Sequence, residues 1–280
     1  MAPPPDRRPD PRPHLETRLA RESLVDRAVV GSTHADHELP ILPDAHIVGL
    51  GGAGVMDRGK AVVLPLVDEI AGLRGRYKFI IGVGGGARVR HTYRIGMDLG
   101  IPTGGLAQLV GAMEECNAIL LQACLAKHGS ILMAREHFWE LPLYLDSAMI
   151  PIVISIPPYH FWEPPPPQSG ALPEHGSDFG LFIMAEVLGM KSLVLVKDTD
   201  DIHTADPRVD DKATPIRRST AAALLARKLP SYGVDREMLV ALSRARNLKR
   251  VQVISGDKRG ALERALAGQD EGTIVTRDAE

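Results

Sequence analysis

With 280 residues, 44% of them apolar, the chain can bury a core large enough for one sizeable α/β domain or two small ones. A formal net charge of −2 excludes the global attraction by which strongly basic proteins hold nucleic acid or acidic membranes. No apolar run reads as transmembrane and the first residues, MAPPPDRRPDPRPHLE, have no apolar signal core, so the expectation is a soluble cytoplasmic protein with neither nucleic acid nor membrane as partner.

The first fifteen or so residues are rich in proline and charge and predict a disordered arm. Leu15, Leu19, Leu24 and Val29 then space a short amphipathic helix. Together these make an N-terminal segment, residues 1–40, ahead of a main α/β domain, residues 41–280.

From Ile47 onward strands and helices alternate. AHIVGL predicts a strand, AVVLPLVDEIAGL a helix with Pro65 inside it, and YKFIIGVGGG a second strand ending in glycines. HTYRIGMDLG and LAQLVGAMEECNAILLQACLAKHG read as helices, the second stopped by Gly129, and SILMAR as a short strand. Cys116 and Cys124 fall two turns apart on that long helix, about 12 Å by helical rise, too far to bridge each other. IPIVIS is a strand. The proline-rich stretch at 157–173, with four consecutive prolines, is an extended loop. FGLFIMAEVLG is a helix, SLVLVKD a strand, DDIHTADPR a turn-rich loop, and RVQVIS and GTIVTR two closing strands. The alternation predicts a three-layer αβα sandwich with a mostly parallel central sheet, and glycines at strand ends mark the ligand edge.

The densest chemistry lies in two glycine turns, GLGG at 49–52 and GVGGG at 82–86. Glycine lets backbone N–H groups approach a phosphate, and a helix N-terminus beyond adds partial positive charge. Neither turn has the Walker spacing or a clean dinucleotide fingerprint. Arg88 and Arg90 follow the second turn and suit an oxoanion. Asp178 reads as an N-cap of the following helix, and Lys197 closes an apolar strand where α/β sites place working residues. The loop with Asp201 and Asp206 admits two readings, a magnesium site shared with phosphates or a solvated turn. His137, His160 and His175 lack zinc-site spacing and admit either packing or oxometalate roles.

These segments together resemble the amino-acid kinase superfamily, which includes uridylate kinase, acetylglutamate kinase and aspartokinase. VKDTDDIHTADP and RVQVISG…LERALAGQDEGTIV are the more specific of the matching stretches. Within the superfamily MDRGKAVVLPLVDEI, GARVRHTYRIGMDLGIPTGGLAQL, LAKHG and PPYH are similar to the molybdenum storage proteins, and LARESLVDR is more like their alpha subunit. The resemblance implies the amino-acid kinase fold in a hexameric cage, built from one chain or from two homologous subunits. It further implies ATP with Mg2+ and stored molybdate or tungstate clusters. Gly51, Gly52, Gly84, Gly85, Gly86 and Arg88 would then meet phosphate, Asp178 would be the candidate for catalysis, and Lys197, Asp201 and Asp206 would stand on the nucleotide side. His160, with His137 and His175, would face oxometalate.

Departures from the superfamily pattern matter as much. The family's lysine two residues before the glycine pair is Gly49, and losing such a cation costs roughly two to three decades in rate. The family's DG is Asp200-Asp201 and its tyrosine is His203. The expectation is a nucleotide-binding storage subunit with weak or lost ATP hydrolysis. The alternatives are a small-molecule kinase of the uridylate kinase type or a non-catalytic subunit that keeps the fold. A lysine returned to position 49 tests whether the old geometry survives.

Overall fold

The computed structural model describes residues 39–155, 172–199, 202–207 and 209–278, and Pro40–Glu280 form one compact unit. The proposed N-terminal helix, His160, Asp201 and most of the proline-rich loop lie outside the described residues.

Six parallel strands carry the architecture: β1 (Ala45–Leu50), β2 (Lys78–Val83), β3 (Ser130–Met133), β4 (Ile150–Ile154), β5 (Ser192–Lys197) and β9 (Arg250–Ser255). With β10 (Thr273–Thr276) and β8 (Arg218–Thr220) they form one eight-stranded sheet in the order β3-β4-β2-β1-β5-β9-β10-β8. β10 runs antiparallel to β9 and pairs in parallel with β8, so the sheet is mostly parallel, as the alternation implied. β6 (Ile202–His203) and β7 (Pro215–Ile216) pair separately, giving the acidic loop a short ladder that its turn-rich sequence concealed.

Strands covered on both faces need apolar residues at every position, and β1 is buried throughout. Ile47, Leu193 and Leu195 face one core, while Val48, Leu50, Val194 and Val196 face the other. The first core is closed by α4 (Leu141–Asp146), α5 (Ser177–Val187), α6 (Ala221–Ala226) and α7 (Arg236–Leu242). The second is closed by α1 (Lys60–Leu73), α3 (Thr103–Leu125) and α8 (Ala261–Leu266). Three layers result. Pro65 lies inside α1, which continues to Leu73 despite the donor it lacks.

α2 (Ala87–Asp98) packs on α3 at the margin of the sheet. The expectation of no membrane-length apolar run needs correction. Thr103–His128 is long and apolar enough to cross a bilayer by composition, because Glu114, Glu115 and Asn117 are outweighed by aliphatic neighbours. Its inward stripe, Leu106, Val110, Leu121 and Leu125, is buried within the protein.

Candidate functional site: a glycine-floored cleft lined with carboxylates

β1 and β2 pair in parallel with Gly49 opposite Gly82, so both run out at the same sheet edge into their glycine turns. The first glycine past each strand still extends the sheet: the Gly51 N–H donates to Val196 O at 2.9 Å and the Gly84 N–H to Leu50 O at 2.9 Å. The amides of the later glycines, Gly52, Gly85 and Gly86, make no such sheet bond among the described residues. The two turns lie backbone against backbone, since a Cβ on Gly52 would collide with the Gly86 amide. Asp57 fastens them. Its N–H donates to Gly52 O at 2.9 Å, and its carboxylate accepts the Ala87 N–H at 2.6 Å. The first amide of α2, which the sequence offered to phosphate, is thus capped by the protein's own anion.

The facing wall comes from the start of α5, the end of β5 and residues 231–235. Gly52, Gly84, Gly85, Gly86, Arg90, Glu114, Asp178, Lys197 and Asp235 are among the residues lining the resulting cleft of about 480 Å³. Asp178 is not the N-cap the sequence suggested. Gly176, in an extended conformation, holds that place, and Asp178 is the second helical residue. Its carboxylate instead accepts from Lys197 Nζ at 2.7 Å through both oxygens, and from the Asp235 N–H at 3.3 Å. The capping carboxylate of α5 is Asp235, which accepts the Phe179 N–H at 3.1 Å. Burial, reinforced by the adjacent Asp178 charge, pushes Asp235 up to about 6. A third acid, Glu114 of α3, is fully buried and accepts the Ser155 N–H at 3.1 Å; burial holds its carboxyl well above the usual range.

Arg88 does not line this cleft. Its guanidinium donates to Asn117 Oδ1 and lies 3.5 Å from Cys116 Sγ, while Asn117 Nδ2 donates to Gly84 O at 2.6 Å. It braces the second turn from behind, and Arg90 is the arginine that reaches the cleft. Asp206 lies in a turn whose carbonyl accepts the Val209 and Asp210 N–H groups, away from the cleft-lining set. His137 is exposed and bonded to Glu140 at 2.8 Å, which raises its pKa, and His175 packs against the Phe179 ring at 5.7 Å. Among the described residues no cluster of three or more His, Cys, Asp or Glu is arranged to hold a metal ion.

A side chain at position 49 would have to displace two leucine methyl groups. A Cβ there would lie 2.7 Å from Leu195 Cδ2 and 2.8 Å from Leu181 Cδ1. The loss of lysine is accompanied by aliphatic packing, and among the described residues the cations that line the cleft are Lys197, paired with Asp178, and Arg90.

A six-strand parallel core ending in paired glycine turns, faced by a helix N-terminus and a strand-end lysine, defines an α/β fold with an open cleft at the sheet edge. The chain belongs to the amino acid kinase family, whose model matches residues 45–255. Within that family it belongs with the molybdenum storage proteins: it is 38% identical over 262 residues to molybdenum storage protein subunit beta of Azotobacter vinelandii (strain DJ / ATCC BAA-1303), spanning 94% of this chain and 97% of the relative. A uridylate kinase of Pyrococcus abyssi (strain GE5 / Orsay) is 24% identical over 181 residues, covering 61% of this chain and 73% of that one. The crystal structure of uridylate kinase from Archaeoglobus fulgidus shares the fold, with a TM-score of 0.65 at 18% identity over 82% of this chain and 99% of that one. The matched relative is a beta subunit. The stretch that suggested an alpha-subunit likeness, residues 19–27, lies outside the described residues.

Proposed function

We propose that this chain is a subunit of a molybdenum-storage-type protein of the cytoplasm, holding polynuclear molybdate or tungstate in an assembly with copies of itself or with a homologous subunit. The single observation that carries this reading is end-to-end identity of 38% to a storage-protein subunit, without the gaps in coverage that separate the chain from uridylate kinase. His160, His137 and His175 are the proposed oxometalate contacts, and the glycine cleft is the proposed nucleotide site.

The cleft suits a nucleotide only in company with a cation. Gly52, Gly85 and Gly86 offer amides and Arg90 a guanidinium, but Asp178 and Asp235 present carboxylates to the same space. Bound Mg2+ would neutralise phosphate oxygens beside those acids. Asp201 and Asp206 are the further acidic candidates on the nucleotide side. Phosphotransfer is a different matter. With Leu181 and Leu195 filling the lysine position, the developing charge of a transferring phosphoryl group lacks its first cation, and the reading is ATP binding with weak or lost hydrolysis.

The test is purification after expression in molybdate-supplemented medium, with metal measured by inductively coupled plasma mass spectrometry, mass by light scattering, and ATP turnover with Mg2+. Molybdenum well beyond one atom per chain supports storage. Absence of metal together with robust phosphotransfer to a nucleoside monophosphate would replace this reading with the kinase.

A further inference from the structure

We propose that the Glu114 carboxyl is a ligand contact of the glycine cleft, donating a hydrogen bond to a phosphate oxygen that lies against the turn at Gly84, Gly85 and Gly86. This contact rests on the nucleotide reading of the cleft and goes beyond it by naming a neutral donor among the acids.

The place of Glu114 in the fold sets its chemistry. It falls on the inward stripe of α3 with Leu106, Val110 and Leu121 and is 1% exposed, yet it lines the cleft, so its side chain forms part of the floor. A Cβ on Gly85 would lie 3.4 Å from Glu114 Cγ, which sets the side chain directly against the middle glycine of the turn. Oε2 accepts the Ser155 N–H at 3.1 Å, and Ser155 Oγ donates to Val83 O at 3.0 Å, so residues at the ends of β2 and β4 fix that oxygen. Oε1 is the oxygen that carries the proton toward the ligand.

The charges around Glu114 do not favour an anion there. Complete burial, and after it the like charges of Asp235 and Asp178, hold the acid form well above the usual carboxylate range, against the one amide of Ser155. Lys197 of β5 is engaged by Asp178 at 2.7 Å, and Arg88 of α2 donates to Asn117. Arg90, also of α2, lines the cleft and is the cation left to a ligand. β3 and β4 contain no titratable residue, and Lys78 of β2 lies at the far end of its strand between Asp44 and Asp146. On α1, Lys60, Asp68 and Glu69 line a separate groove beside α8. Glu115, the next residue of α3, is exposed.

A protonated carboxyl adds a donor to the floor without adding charge. Asp178 and Asp235 repel a phosphate, whereas Glu114 attracts it because it keeps its proton. The atom held over Gly85 must then be an acceptor, which selects an oxoanion and rejects an ammonium group.

The test joins infrared difference spectroscopy to isothermal titration calorimetry, with ATP and Mg2+ as the probe. Wild type minus Glu114→Gln is expected to show the carbonyl stretch of a protonated carboxyl at pH 7, and that stretch moves to lower frequency when the probe binds. The amide of Glu114→Gln keeps an acceptor for Ser155 and a donor for the ligand, so it is expected to bind within about threefold of wild type, whereas Glu114→Leu binds about tenfold more weakly. Absence of the protonated band overturns the contact, as does a band left unmoved while calorimetry shows ATP bound; the nucleotide reading survives both results. A wild type that binds no ATP overturns that reading and the contact with it. A band moved by molybdate and not by ATP assigns the donor to oxometalate and overturns the phosphate contact. If Glu114→Leu fails to fold, the band and the glutamine variant decide alone.

Discussion

Leu181 fills the space that a side chain on Gly49 would need. Gly49 and Gly82 face each other across β1 and β2, and Leu181 of α5 lies over both, so that a Cβ on either glycine would meet its methyl groups. The glycine column and the leucine are one packing solution.

Gly49→Ala is therefore expected to cost about 1–3 kcal/mol by overpacking, read as a lowered midpoint in urea. Leu181→Ala costs a similar or larger amount through its cavity, and the two changes together cost less than their sum. Strict additivity in this double-mutant cycle contradicts the arrangement. Gly49→Lys gains no ATP hydrolysis for the same reason; turnover rising tenfold over wild type shows the lysine has found room.

Lys197 stands between Asp178 and water, and both partners are largely buried. Removing the ammonium leaves a buried carboxylate next to Asp235. Lys197→Met is expected to destabilise by about 3–5 kcal/mol, whereas Lys197→Met with Asp178→Leu recovers much of that loss. Equal denaturation midpoints for Lys197→Met and wild type would remove the pair from the energetics of the fold.

Asp235 makes the cleft sensitive to pH. Its folded pKa of about 6 exceeds the ordinary 3.8, so the folded state holds this proton more tightly than the unfolded chain does. The contribution is fully present below pH 3.8 and is lost as pH rises through 6, by up to about 3 kcal/mol. Asp235→Asn keeps an acceptor for the Phe179 N–H and is expected to be more stable than wild type at pH 7. Identical pH–stability curves for the two proteins would rule this out.

His46 works in the opposite sense. It is buried with Nδ1 2.7 Å from Ser192 Oγ, and burial, aided by Lys191, lowers its pKa from 6.5 to about 4. Protonation favours the unfolded chain, so stability is complete above pH 6.5 and falls by up to about 3 kcal/mol as pH drops to 4. His46→Gln flattens that limb in acid denaturation followed by circular dichroism; an unchanged acid limb contradicts the assignment.

The parallel core was legible because strands buried on both faces have to be apolar throughout, and because glycine turns punctuate their ends. β8 was not: Arg218–Thr220 is polar and short, and pairs only because β10 reverses beside it. The cleft's acids were half legible. Glu114 and Asn117 fall on the same inward stripe as Val110 and Leu121, and polar residues on an apolar stripe are the signal that could have found them. Asp235 carried no such signal. It lies 57 residues from Asp178, and only the fold brings its backbone N–H to the Asp178 carboxylate. Arg88 and Arg90 differ by two positions on a helix, enough to send one behind the glycine turn and the other into the cleft.

Asp57 ties the two glycine turns into one floor, with Gly52 and Gly86 touching and the Ala87 amide held. Such a floor has no independent joints: a displacement of one turn drags the other and pulls on Gly84 through Asn117. The facing wall is built differently: residues 231–235 lie in the connection from α6 to α7, and Gly233 supplies a left-handed backbone turn there. The cleft thus sets a cross-tied floor against a wall carried by a loop.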